Sequence, residues 1–156
     1  MDRIIRLFND AGARYLLIGG QALRLDGLPR FTMDWDLLLP PRDIANIERI
    51  NRLLADDLDM PLLPLGPAGQ NFVQTYQLPE GILQFHLGGP GMEHFDELEA
   101  RAEWRALAPD VPVRCLAVAD LLAVKRAAGR PRDLEDAEFL EALLAARRTK
   151  SKKGTP

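Results

Sequence analysis

The chain of 156 residues is 47% apolar with a formal net charge of −3, long enough and apolar enough for one domain with a substantial core. No apolar run approaches the roughly 18 residues that cross a bilayer, and the acids within MDRIIRLFND break the pattern of a signal peptide, so a cytoplasmic protein with no membrane role is expected. A single cysteine, Cys115, excludes an intrachain disulfide framework and a cysteine-built metal site and is read as a small buried apolar residue.

The first predicted element is a helix in DRIIRLFNDAG, with Ile4, Ile5, Leu7 and Phe8 on one stripe, Asp2 as N-cap and Gly12 at the C-terminal end. RYLLIGG then reads as a short buried strand running into paired glycines, and QALRLDGL as a helix closed by Gly27 and Pro29. The chain extends through FTMDWDLLL, stops at Pro40 and Pro41, and resumes as an amphipathic helix in RDIANIERINRLLADD. PLLPLGPAGQ is a loop, FVQTYQL and GILQFHL form a hairpin around Pro79 to Gly81, and a helix is expected around FDELEARAEW. VPVRCL is the last expected strand, followed by two helices broken at Gly129 to Pro131. The sum is a small α/β (α+β) domain over residues 1–146, with a mixed or antiparallel sheet, helices on one side and a helical C-terminal segment. Residues 147–156, which hold Arg147, Arg148, Lys150, Lys152 and Lys153, read as a basic disordered tail.

Two carboxylates stand out within an apolar run. Alternation along a strand puts Thr32, Asp34 and Asp36 on one face and Met33, Trp35, Leu37 and Leu39 on the other, which is taken as core-facing. Two like charges about 6.5 to 7 Å apart repel by about 2 to 3 kcal/mol at an effective dielectric of 20, and sharing a cation relieves that repulsion. Mg²⁺ often takes one or two carboxylates together with substrate phosphates and water. Just upstream, Gly19 and Gly20 sit where a strand becomes a helix, a place at which missing side chains let backbone N–H groups approach an anion.

With these residues in view, IGGQALRLDGLPRFTMDWDLLL resembles the signature of the DNA polymerase beta-type nucleotidyltransferase superfamily, in particular its minimal and toxin-antitoxin-type members. The resemblance sets Gly19 and Gly20 at the end of the first strand, followed by Gln21. It makes Asp34 and Asp36 the Asp-x-Asp pair, and RFTMD, from Arg30 through Thr32 to Asp34, is similar to an Arg-x-Thr-x-Asp run of these proteins. LAVADLLAVKRAAGRPRDLEDAEFL resembles their C-terminal helical segment, with Lys125, Arg130, Asp133 and Asp136 at the matching positions. The likeness spans most of residues 1–145. It implies a nucleoside triphosphate (NTP) as substrate, with Mg²⁺ or Mn²⁺ held by Asp34 and Asp36. It places phosphate contacts at Gly19, Gly20, Gln21, Arg30, Thr32 and Lys125, and in-line attack by an acceptor on the α-phosphate. Lys125 has an alternative reading as a solvated or salt-bridged surface residue.

The pattern departs from the family at a third carboxylate, which a neighbouring strand normally supplies. In GILQFHLGG the matching face carries Ile82, Gln84 and His86, with no acid. His86 takes the expected position and Gln84 the alternative. Histidine titrates near neutrality and can act as base or metal ligand, so His86 joins Asp34 and Asp36 as a candidate catalytic residue. Two functions follow: a metal-dependent transferase that passes a nucleoside monophosphate to a small molecule, a protein or an RNA end, or a catalytically degenerate module binding a nucleotide or a protein partner, such as a toxin-antitoxin component. A homo-oligomer is compatible with either. A nucleic-acid-binding domain using the basic tail ranks third, because the body is acidic.

Overall fold

The computed structural model describes the backbone of residues 1–153 and the side chains of residues 1–151. Among the described residues twelve elements follow in chain order: α1 (Asp2–Asp10), β1 (Leu16–Ile18), α2 (Gly19–Leu25), β2 (Asp34–Leu38), α3 (Ile44–Leu53), β3 (Val73–Leu78), β4 (Gly81–His86), α4 (Phe95–Arg101), β5 (Glu103–Ala108), β6 (Val111–Cys115), α5 (Val118–Ala128) and α6 (Pro131–Lys153). The strands form one six-stranded sheet in the order β3-β4-β2-β1-β6-β5. It is mixed: β1 runs antiparallel to β2 and parallel to β6, and β2 runs parallel to β4.

The apolar stripe of α1 explains one wall of the core. Ile4, Ile5 and Phe8 are fully buried, and the Phe8 ring stacks on Phe85 of β4 with centroids 6.4 Å apart. Leu17, Leu37, Leu83 and Phe85 share that side of the sheet by strand alternation and are buried. Met1 takes the N-cap position of α1 and Asp2 is its first residue, so the expected cap at Asp2 moves by one. Gly12 does stand just beyond the helix with φ +63°, a left-handed conformation in which glycine avoids the Cβ penalty. Asp43 caps α3 by accepting a hydrogen bond from the Asn46 amide. Cys115 is buried, and burial pushes its thiol up to about 12, so it serves as packing.

Three expectations need correction. First, β2 begins at Asp34, not Phe31. Its neighbour β1 is three residues long and pairs only with Asp36 to Leu38, and β4 reaches no further back than Asp34. Residues 30–33 therefore leave the sheet, and Met33, expected in the core, is 59% exposed. Second, the helix around FDELEARAEW stops at Arg101, and Glu103 to Ala108 form a strand pairing antiparallel with β6. Third, the basic end is not disordered from residue 147: α6 runs to Lys153. Arg147 donates to Asp26 and to Glu103, each at 3.0 Å, which ties the helix to the body. Residues 154–156 lie outside the described residues.

Candidate functional site: two carboxylates over a glycine floor

Register assembles the site. Ile18 pairs with Asp36, so the next residue, Gly19, lies against the Asp36 carboxylate. A Cβ on Gly19 would stand 2.2 Å from Asp36 Oδ2, and φ there is +66°; both facts demand glycine. Gly20 is under the same pressure from Thr32, whose Oγ1 would lie 2.9 Å from an added Cβ. In the parallel pairing of β2 with β4, Asp34, Asp36 and Leu38 stand opposite Ile82, Gln84 and His86, so all six share one face. Of the two candidates for the third position, His86 makes the contact: its Nε2 is 2.9 Å from Asp36 Oδ1.

This face opens into a cleft of about 480 Å³. Gly19, Gly20, Thr32, Asp34, Asp36 and His86 line it. Arg30, Lys125 and the start of α6, through Arg130, Arg132 and Asp133, complete the lining. Neither Asp34 nor Asp36 pairs with an arginine or lysine among the described residues; Asp36 has His86 and Asp34 has no ion pair. The basic groups are engaged elsewhere. Lys125, 7% exposed, reaches Asp133 at 2.9 Å and Asp136 at 2.8 Å. Arg130 pairs with Asp133 at 2.6 Å, and Arg30 pairs with Asp136. The salt bridges expected of Lys125 on its alternative reading are present, but the side chain is buried and not on the surface, and it also lines the cleft.

Two buried carboxylates thus sit among three cations. For Asp133, burial works against ionisation, but hydrogen bonds from Arg130 and Lys125 outweigh it and bring the pKa down to about 2. Asp136 is lowered in the same balance, burial opposing and Arg30 and Lys125 prevailing. A carboxyl whose folded pKa is depressed adds stability above its unfolded value, and that stability disappears as pH falls through the folded value. The melting temperature is therefore expected to drop between pH 4 and pH 2, with about 2 kcal/mol of the loss assigned to Asp133. Thermal melts of wild type and Asp133→Asn across that window check this: a variant that loses as much stability as wild type between those pH values contradicts it.

Of the nine residues singled out from the sequence, eight line this cleft: Gly19, Gly20, Arg30, Thr32, Asp34, Asp36, His86 and Lys125. Gln21 does not. It is 4% exposed; its Nε2 donates to the Thr32 carbonyl at 3.1 Å, and its Oε1 accepts from Arg24 at 2.8 Å. Gln21 thereby pins the segment that leaves the sheet ahead of Asp34. Arg132 is the charged lining residue missed in the sequence; its only signal was its place in GRPRD, at the head of the last helix.

A divalent ion fits this donor set in one way. Among the described residues, no three His, Cys, Asp or Glu side chains gather as a self-sufficient metal site. Two carboxylates facing a cleft without lysine or arginine partners still suit a hard cation that completes its shell with substrate phosphates and water.

The sequence matches no protein-family model and no curated protein. Solved structures do share the architecture. A protein from Thermotoga maritima assigned to the nucleotidyltransferases superposes with a TM-score of 0.58 at 13% identity, over 92% of this chain and 89% of that one. The lincosamide antibiotic adenylyltransferase LnuA, solved with lincomycin bound, gives 0.59 at 17% identity, over 90% and 93%. ANT(2″)-Ia, solved with adenylyl-2″-tobramycin, gives 0.54 at 18% identity, over 96% and 95%. The architecture of this chain is thus the nucleotidyltransferase fold.

Proposed function

We propose that the cleft is a nucleotidyl-transfer site. One observation carries the reading: Asp34 and Asp36 face a glycine-floored cleft with no lysine or arginine partner among the described residues, and the same cleft is lined by Arg30, Lys125, Arg130 and Arg132. Asp34 and Asp36 would hold Mg²⁺ or Mn²⁺, which when bound neutralises charge on the triphosphate. Gly19 and Gly20 leave space for the phosphates, Thr32 offers a hydroxyl, and Arg130 and Arg132 face them from the start of α6. Arg30 and Lys125 support that wall through Asp136 and Asp133. Gln21 positions Thr32.

In the reaction an acceptor hydroxyl oxygen bonds to the α-phosphorus. The bond from that phosphorus to the bridging oxygen breaks, and pyrophosphate leaves with the electron pair. His86, oriented by its hydrogen bond to Asp36, takes the hydroxyl proton, as a base within reach of an incoming nucleophile does. A second reading is favoured by the missing third acid: Gln84 and His86 stand where a carboxylate would complete the set. On that reading the chain binds a nucleotide and a protein or RNA partner without turnover, as a toxin-antitoxin component could.

Equilibrium dialysis with labelled ATP, CTP, GTP and UTP, with Mg²⁺ or Mn²⁺ and with EDTA, tests both readings. At least one triphosphate is expected to bind only when the ion is present, and label is expected to pass to an acceptor supplied as small alcohols, protein or RNA. Binding without transfer selects the second reading. No binding of any triphosphate overturns both.

A further inference from the structure

Behind His86 and Asp36 the cleft continues into a second recess of about 290 Å³ with a different chemistry. Its shared wall consists of groups already described, among them Gly19, Asp36, His86, Lys125 and Asp133. Its other walls are apolar: Phe72, Pro90, Met92, Leu121, Val124 and Ala128. The loop Gly88 to Met92 closes one side by packing directly on α5. A Cβ on Gly91 would lie in tight contact with α5, 3.3 Å from the Val124 Cα, and φ there is +77°, so the position favours glycine. Leu121 is fully buried and Met92 nearly so, whereas Phe72 is 54% exposed at the mouth.

We propose that this recess is the acceptor subsite of the transfer reaction, and that the acceptor is a small, uncharged alcohol with an apolar body of one or two rings. The inference rests on the nucleotidyl-transfer reading and adds the substrate class. Size sets the first limit, because small-molecule sites usually offer about 300–1,000 Å³. Charge sets the second. The two acids lining the recess, Asp36 and Asp133, are matched by two cations, Lys125 and Arg130, and the outer walls supply no further carboxylate, so the lining carries no excess negative charge for a polycation. Both cations pair with Asp133, so the lining holds no excess positive charge to select an anionic acceptor either. An apolar ring seated between Met92, Leu121 and Val124 would instead point its hydroxyl at the polar end, where His86 stands beside Asp36.

Saturation-transfer NMR with 2-phenylethanol as probe tests this without requiring turnover, so its failure is distinguishable from failure of the transfer chemistry. Wild type is expected to bind the probe saturably. Val124→Trp, which fills the recess, and Phe72→Asp, which charges its mouth, are each expected to weaken binding at least tenfold while melting cooperatively. Neither ATP nor tobramycin should displace the probe. Equal binding by wild type and both variants overturns the proposal. So does displacement by ATP, which would make the recess a nucleobase pocket, and so does displacement by tobramycin, which would make it a site for polycations.

Discussion

Replacing Lys125 with methionine is expected to lower the melting temperature more than any other single substitution in the cleft. The ammonium reaches Asp133 at 2.9 Å and Asp136 at 2.8 Å in a setting where all three side chains are at least nine-tenths buried. Methionine keeps most of the stem and its packing but leaves both carboxylates short of a counter-charge. Removing one partner of a buried ion pair costs about 3–5 kcal/mol, which for a domain of this size corresponds to about 6–20 °C. Arg30 and Arg130 still touch Asp136 and Asp133, which should hold the loss toward the lower end. Circular dichroism melts at neutral pH measure it, and a double variant with Asp133→Asn should recover part of the loss because the two side chains are in contact. A change within 2 or 3 °C, on the order of 1 kcal/mol, would show the network to be energetically idle.

The opposite profile is expected of the two strand aspartates. Asp34→Ala and Asp36→Ala should each reduce metal-dependent transfer by about 10²–10³-fold, the scale seen when one group stabilising transition-state charge is lost. Asp34 has no ion pair among the described residues, so Asp34→Ala removes half of a like-charge pair and should leave stability within about 0.5 kcal/mol of wild type. Asp36→Ala also takes the hydrogen-bond partner from His86, and it should lose more activity than Asp34→Ala in the same initial-rate assay. Transfer at the wild-type rate in either variant would remove the carboxylates from the chemistry.

Contrast between the two faces of β2 made the site readable in the sequence. Aspartates at alternate positions in an apolar run are costly unless they face something polar, and glycines at a strand end imply a close approach. Both features are short-range, and both survive folding: Ile18 pairs with Asp36, and Gly19 lies against its carboxylate. The extent of the strand was not readable. Residues 30–33 are as apolar and extended in pattern as those that follow, and only the shortness of β1 and the reach of β4 end the sheet at Asp34.

Strand β5 was hidden for a different reason. ARAEWRA is rich in helix-forming residues, and its inward side carries Glu103 and Arg105 where an apolar alternation would have announced a strand. Those charges are tolerated because they pair with each other at 2.5 Å and with Asp26 and Arg147, partners that lie 79 and 44 residues away in the chain. Gln21 was misplaced on similar grounds. Its position after the glycines suggested a ligand contact, and its partner is instead a backbone carbonyl eleven residues on.

Because the Asp26 carboxylate serves Arg105 of the edge strand and Arg147 of the final helix together, the C-terminal end is fastened to a point near the beginning of the chain. Helix ends ordinarily fray at little cost. Unzipping of this helix would meet its first real resistance at Arg147, where further opening strips a buried acid of one of its two counter-ions and loosens the outermost strand with it. The last turns before that residue should therefore exchange their amide hydrogens in step with the sheet, as one cooperative body.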